Sequence, residues 1–180
     1  RRLLEFPTNR LIDWLYKVGY PPLPPYIKRQ KADKTLRELD LVRYQTVFAR
    51  KEGSIAAPTA GLHFTRRLIR KLREKKIILT SVTLHVGLAT FQPIRVEKVD
   101  DHRMLEEWYE ISPRASAIIN EAKKEGRAVV AVGTTVVRTL ESAADSQSDQ
   151  PRILPGRRTT NLFIYPGYQF KIVDRLLTNF

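Results

Sequence analysis

The segment from 112 to 144 constrains the fold most strongly, because its pattern predicts a helix, a strand and a second helix in direct succession. Ser112 supplies a capping hydroxyl, Pro113 suits a first helical turn, and Gly126 is typical of a helix end. The apolar residues at helical spacing on the first helix are Ala115, Ile118, Ile119 and Ala122. The next run, RAVVAVG, is apolar after its first residue, as in a strand covered on both faces, and it leads into the helical pattern TTVVRTLESAA. Strands and helices that alternate in this way predict an α/β fold.

Three further segments extend this pattern. Thr65 is a good cap for a helix from about 66 to 76 with an apolar stripe of Leu68, Ile69 and Leu72. The run IILTSVTLHVG alternates: Val82, Leu84 and Val86 share one face, and Ser81, Thr83 and His85 share the other. Near the end, NLFIYPGYQFKIVD predicts two strands joined at Pro166 and Gly167. We therefore expect a large mixed α/β domain with a mixed sheet and a terminal hairpin.

The first 54 residues contain a proline-rich break. NRLIDWLYKVG predicts a short helix that ends at Gly19. The following YPPLPPYIKR has four prolines in five positions, which indicates a stiff connector or, as the alternative, a polyproline recognition segment. Residues 36 to 54 are compatible with helix or mixed structure. We divide the chain into a first part with a connecting helix (1–20), a proline-rich connector (21–30) and the mixed α/β domain (31–180).

The composition limits the classes of partner and chemistry. Lys and Arg number 32 against 19 Asp and Glu, which gives a net charge of +13 and favours polyanionic partners, nucleic acid first. The chain has no cysteine, so disulfides, thiolate metal sites and cysteine nucleophiles are excluded. No apolar run is long enough to cross a bilayer and the start lacks a signal-peptide core, so we expect a cytoplasmic protein. Because the chain begins without Met and stops within LLTNF, we expect an excerpt of a longer protein.

Two loops combine small residues with a histidine. In AAPTAGLHFT the small residues let the backbone approach a ligand closely, the following helix start favours an anion, and His63 lies beside it. In LHVGLATF, His85 shares a polar strand face with Thr83, and Gly87 ends the strand. The alternatives are an ordinary connecting loop for the first and a structural histidine for the second.

Two more segments carry polar side chains that suit a site. In VDDHRMLEEWYEI, acidic neighbours could hold the tautomer of His102, although a solvated loop explains the same run. In AVGTTVVRTLES, a Gly-Thr-Thr turn opens a helix on which Arg138 and Glu141 lie three residues apart, so they could pair or Arg138 could bind an anion. Neither dinucleotide nor P-loop fingerprints occur. The spacings of the three histidines match no local metal motif.

Several segments, taken in order, resemble one family. They are PLPPYI, RYQTVFA, GSIAAPTAGLHF, VTLHVGLATFQP, VGTTVVRTLES, and LFIYPGYQF followed by VDRLLTNF. In this order they resemble the S-adenosylmethionine:tRNA ribosyltransferase-isomerases of queuosine biosynthesis, from residue 21 onward. The resemblance implies a catalytic α/β domain beside a small β-barrel, of which RRLLEF would be the last strand.

The resemblance also implies a reaction and its partners. S-adenosylmethionine would donate its ribosyl group to a 7-aminomethyl-7-deazaguanine at the wobble position of tRNA, giving epoxyqueuosine, adenine and methionine, without a metal cofactor. A base is needed at the ribose carbon next to the sulfonium, and an acid at the departing adenine. His63 and His85 are the candidates for these roles. The candidates for substrate binding are Pro58, Thr59, Ala60, Gly61, Thr83, Gly87, Thr90, His102, Gly133, Thr134, Thr135, Arg138, Glu141 and Tyr165. The candidates for contacts to tRNA phosphates are Arg66, Arg67, Arg70 and Lys71.

The chain departs from the family pattern at four positions. We would expect His at Leu105, Gly at Ala89, Ser at Val136 and Asp at Asn161. These differences suit either a divergent active enzyme or one that has lost activity, such as a catalytically silent tRNA-binding module that keeps the fold. A separate alternative is a hydrolase with a metal held by the three histidines.

Overall fold

The computed structural model of the protein describes residues 5–7, 10–24, 26–29, 34–87, 96–97, 99 and 102–179. By its internal contacts the chain forms two compact units, Arg1–Tyr44 and Gln45–Phe180. The three-part division into 1–20, 21–30 and 31–180 stays a prediction. No helix in the described ranges is both long enough and apolar enough to span a membrane.

In its described ranges the first unit forms the helices α1 (Leu11–Val18) and α2 (Lys34–Arg43). The predicted end of α1 at Gly19 is confirmed, since Gly19 follows Val18 with an extended backbone and its N–H donates to the Leu15 carbonyl. Arg37 of α2 donates to the carbonyl of Gly19 at 2.8 Å and to two carbonyls of the last turn of α1 at 3.0 Å. It thereby satisfies acceptors that a helix end leaves free.

The second unit contains the remaining elements. In chain order they are a 3₁₀ helix (Thr59–His63), α3 (Arg66–Glu74), β1 (Thr83–His85), β2 (Glu107–Ile111), α4 (Pro113–Lys124), β3 (Val130–Val132), α5 (Thr134–Ser142), β4 (Gly156–Thr160) and β5 (Arg175–Leu177). β1, β2 and β4 form an antiparallel sheet in that order, and β3 pairs with β5 in parallel. The mixed α/β class is confirmed. The single mixed sheet is wrong for the described residues, which form two small sheets instead.

The predicted helix signals between 65 and 142 are confirmed. Thr65 accepts a hydrogen bond from the Leu68 N–H at 3.1 Å, and Ser112 accepts one from the Ala115 N–H at 3.1 Å. Each hydroxyl satisfies a donor of the first helical turn. The core lies between the sheets and α4 and α5, and includes Tyr109, Ile111, Ala115, Ile119, Ala131, Val137, Leu140, Ile153 and Ile172.

The predicted terminal hairpin is wrong. Pro166 and Gly167 do form a turn, in which the Tyr168 N–H donates to the Tyr165 carbonyl at 3.1 Å, but no strand flanks it. The reason is that the N–H groups of residues 171 to 173 donate to the carboxylate of Glu141. They are therefore not available for a strand ladder.

Three other strand predictions need correction. The alternating run from 77 to 87 contains only β1, because β2 pairs with Thr83–His85 alone. Val130 of β3 is 54% exposed, so this strand is not covered on both faces. The charged run before α4, for which a solvated loop was one of the two interpretations, contains β2, the central strand of its sheet. Alternate residues of β2, namely Glu107, Tyr109 and Ile111, are buried. The alternation was not recognised in the sequence because one of these buried residues is acidic.

Candidate functional site

The loop before α3 packs its small residues against neighbouring backbone and rings. Pro58 precedes the 3₁₀ helix, in which Ala60 and Gly61 are buried. A Cβ on Gly61 would lie 3.1 Å from Thr46 Cγ2 and 3.5 Å from the Phe48 ring. The small residues of this loop therefore allow close packing and leave His63, the last residue of the 3₁₀ helix, exposed.

The Gly-Thr-Thr turn lies against the same loop. Gly133 has a φ of +94°, which favours glycine, and its N–H donates to the Leu177 carbonyl at 2.8 Å. A Cβ built on Gly133 would lie 3.7 Å from Ala60 Cβ, so this turn and the 3₁₀ helix are in contact. Thr134 and Thr135 open α5, whose start has no side-chain cap. The free amides of a helix start favour an anionic group.

His63 faces the ends of the two parallel strands. Asn179, which follows β5, places its side-chain Nδ2 at 3.2 Å from His63 Nε2. The side-chain amide of Asn179 and the imidazole of His63 are therefore within hydrogen-bond distance of each other. Ala60, His63, Leu177, Thr178 and Asn179 line a depression of about 410 Å³, which we call the His63 pocket. Its volume is in the range of small-molecule sites, and ligands of α/β proteins commonly bind at the carboxyl ends of parallel strands.

Asn179 was missed by the sequence reasoning. The sequence did offer a signal for Asn179, since this residue lies within VDRLLTNF, one of the segments that resemble the family. No local pattern shows that its amide reaches a histidine that lies 116 positions earlier in the chain.

Arg138 does not pair with Glu141. Instead it forms an ion pair with Glu107, whose side chain is fully buried, and donates from Nε to the Leu162 carbonyl at 2.9 Å. The other Glu107 oxygen accepts the Gly87 N–H at 2.9 Å. Arg138 Nη2 is buried and has no hydrogen-bond partner among the residues that the structure describes. The pair thus joins the end of β1 to α5.

Glu141 holds the segment that precedes β5. Its two carboxylate oxygens accept the N–H groups of Lys171, Ile172 and Val173 at 2.9 to 3.1 Å. The hydroxyl of Tyr168 donates to the same carboxylate at 3.4 Å. Burial and the neighbouring Glu141 charge raise the pKa of Tyr168 to about 12. The Glu141 carboxylate is therefore used by hydrogen bonds within the fold.

His85 lies on the sheet face opposite α5. It stands across from Trp108, with ring centroids 4.6 Å apart, whereas the alternate residues of β2 face the core. A Cβ on Gly53 would lie 2.2 Å from His85 Nδ1, so the imidazole also covers that glycine. Thr83 shares this face and lies opposite Glu110. The structure thus brings His63, Ala60 and Gly133 together, and it places His85 with Trp108 and Gly53.

The remaining predicted positions are scattered. The ring of His102 contacts Phe163, with centroids 4.6 Å apart, and Phe163 lies 6.0 Å from the ring of Tyr165. Thr90 and the departure at Ala89 lie outside the described residues. Of the other departures, Leu105 and Asn161 are exposed, and Val136 packs against the core. Within the described ranges no three potential metal ligands lie together.

The chain matches known proteins over its whole length. A family model described as "Queuosine biosynthesis protein" matches residues 1–180. The chain belongs to this family. It is 51% identical over 180 residues to the S-adenosylmethionine:tRNA ribosyltransferase-isomerase of Desulforamulus reducens, and 52% identical over 181 residues to that of Treponema denticola. In both comparisons 99% of the chain is covered, and it spans about half the length of the queuosine family relatives that it matches, 50% in each case.

Proposed function

We propose that the whole protein transfers and isomerises the ribosyl group of S-adenosylmethionine onto 7-aminomethyl-7-deazaguanine at the wobble position of tRNA. The products are epoxyqueuosine, adenine and methionine. Identity of about one half over nearly the whole chain supports this assignment. We also propose that the whole protein includes the small β-barrel domain of the family, acts in the cytoplasm and has S-adenosylmethionine and tRNA as its substrates.

The observation on which the proposal rests is the position of His63. Its imidazole lies in a pocket at the ends of β3 and β5, and this pocket is next to the uncapped start of α5. The sulfonium of S-adenosylmethionine acidifies the adjacent ribose carbon, so a neutral imidazole there can accept the proton. The amides at Thr134 and Thr135 suit the carboxylate of the methionine part.

Asn179 acts as a positioning residue in this proposal. We assign to the active enzyme the tautomer in which Nε2 accepts from the Asn179 amide, 3.2 Å away. The ring proton then lies on Nδ1 and Nε2 is the basic nitrogen. When substrate enters, Nε2 exchanges this hydrogen bond for the proton of the ribose carbon. Arg138 would hold Gly87 at the end of β1 through Glu107, or it would bind the nucleoside part through Nη2, which has no partner among the described residues.

The test is single-turnover release of adenine by the full-length protein from S-adenosylmethionine and tRNA that carries the precursor base. Replacing His63→Gln should lower the rate by about 10²- to 10⁴-fold, the usual contribution of one acid–base group. Affinity for tRNA should stay unchanged. Unchanged adenine release would remove His63 from the mechanism.

His85→Gln is the matched comparison, because it makes the same chemical change on the other sheet face. We expect a much smaller loss of rate from it. An equal loss would support His85 as the second acid–base group, as the sequence suggests. Tight tRNA binding without adenine release by the unmodified protein would instead support the silent tRNA-binding module.

A further inference from the structure

Helix α3 carries a dense set of cations directly after His63. The cationic residues of this segment are Arg66, Arg67, Arg70, Lys71, Arg73, Lys75 and Lys76, and all seven are exposed. Glu74 is the single acidic residue between 66 and 76. No ion pair in the described part of the chain joins these cations to a carboxylate, although eight such pairs occur elsewhere. Their charges are therefore available to a partner.

Three of these cations lie in line on one face of α3. At 100° per residue, Arg66, Arg70 and Arg73 form a row about 10 Å long, since each residue rises about 1.5 Å. Leu68, Ile69 and Leu72 form the other face. A row of guanidinium groups at regular spacing matches a strand of phosphates, each of which accepts two hydrogen bonds from one arginine.

The apolar face decides between a nucleic acid and a membrane. A helix that lies in a membrane surface needs its apolar side free to insert among the lipids. In α3, Ile69 and Leu72 are half-buried against the protein, and only Leu68 is exposed. The partner therefore meets the cationic face alone, which favours a phosphate backbone.

The short distance between Arg66 and His63 indicates which phosphates of the RNA would reach α3. Arg66 follows His63 by three residues, so their Cα atoms are at most about 11 Å apart. The Thr65 hydroxyl caps the helix between them and fixes the direction in which α3 leaves the site. Accepting the proposed function, we infer that the row Arg66, Arg70 and Arg73 binds the anticodon-loop phosphates that flank the nucleotide under modification.

The test compares two double variants of the full-length protein. Arg66→Gln with Arg70→Gln removes two charges from α3, and Arg114→Gln with Lys124→Gln removes two exposed charges from α4. Gln has nearly the helix propensity of Arg and Lys, so both helices should persist, as circular dichroism would show. The measurement is the dissociation constant for tRNA and for an isolated anticodon stem-loop, each at several salt concentrations.

We expect the α3 double variant to bind both RNAs about ten-fold or more weakly near physiological salt, with the slope of log K against log salt reduced by about 1.4–1.8. Arg73→Gln alone should reduce this slope by about 0.7–0.9. The α4 double variant should bind like the unmodified protein. Equal losses in both double variants would mean that net charge alone matters.

Two other outcomes would overturn the inference. A loss seen with whole tRNA but not with the stem-loop would place α3 on another part of the tRNA. Unchanged RNA binding, together with lost binding to vesicles of anionic lipid, would make α3 a membrane surface. Absence of adenine release by the unmodified protein would refute the proposed reaction, but it would not change the salt dependence of RNA binding. A failure of the proposed function can therefore be distinguished from a failure of the inference about α3.

Discussion

At the scale of single residues, the carboxylate of Glu141 determines the path of the chain before β5. Three successive N–H groups donate to it, and no N–H of that stretch is left for a strand partner. Such a buried acid is stable only when its hydrogen bonds are complete, because an unpaired buried charge is costly. The sequence showed Glu141 as a possible ligand contact, and the contacts show how its oxygens are used within the fold.

Replacing Glu141→Gln should lower the free energy of unfolding by about 2–4 kcal/mol. The amide nitrogen of Gln takes the place of one carboxylate oxygen, and it cannot accept the backbone N–H groups that donate to that oxygen. Urea denaturation of the full-length protein measures this difference. Glu121→Gln makes the same change at an exposed position of α4 and should cost less than about 0.5 kcal/mol. Equal effects of the two substitutions would contradict the role given to Glu141.

At the scale of elements, the segment 53–55 completes the edge of β1. The Ser54 hydroxyl donates to the Leu84 carbonyl at 3.3 Å and accepts the Val86 N–H at 3.1 Å, and the Ile55 N–H donates to the Val86 carbonyl at 3.0 Å. Gly53 has a φ of +131° and lies under the His85 ring. The segment can follow β1 closely because no side chain separates Gly53 from that ring.

Gly53→Ala should therefore be more destabilising than Gly156→Ala. Both glycines have a φ of +131°, but nothing lies within 4 Å of a Cβ at Gly156. The extra loss at Gly53 should be about 1–3 kcal/mol, the usual cost of forcing atoms into a packed site. Thermal or urea denaturation compares the two variants. In a His85→Ala background this extra loss should disappear, and its persistence would show that the ring is not its cause.

At the scale of the whole molecule, acid pH should act through the carboxylates that hold elements together. Asp174 accepts the Val129 N–H at 2.7 Å and the Lys123 ammonium at 2.9 Å. Burial alone raises its pKa, but these two donors outweigh burial and hold the pKa of Asp174 below its usual value. A carboxylate with a lowered pKa contributes stability at neutral pH that is lost as the pH falls through the folded-state value. Protonation also adds positive charge to a chain whose net charge is already +13.

Asp174→Asn should accordingly destabilise the protein at neutral pH, and its deficit should shrink as the pH is lowered from about 7 to about 3, where the native carboxylate is also losing its charge. Urea midpoints at several pH values measure the deficit. Asp149→Asn, at an exposed position, should show little deficit at any pH. A deficit for Asp174→Asn that stayed constant over this range would show that the charge is not the cause.

The sequence by itself determined where the helices between 65 and 142 begin, the α/β class and the family. These depend on local features: a hydroxyl three residues before the N–H that it caps, a glycine at a helix end, and short segments in a fixed order. It also showed that the small loop before α3 and the Gly-Thr-Thr turn are the places to look for a site.

Only the tertiary structure decided which of these residues meet. The contact of Ala60 with Gly133 and the hydrogen bond between His63 and Asn179 join segments far apart in the chain, and no local pattern encodes such pairs. The same holds for Glu107, which is buried because Arg138 neutralises it from another element. The alternation of β1 showed that His85 belongs to a polar face, but only its pairing with β2 placed that face opposite α5. Side-chain partners across elements depend on how the sheets pack, and that is a property of the whole fold.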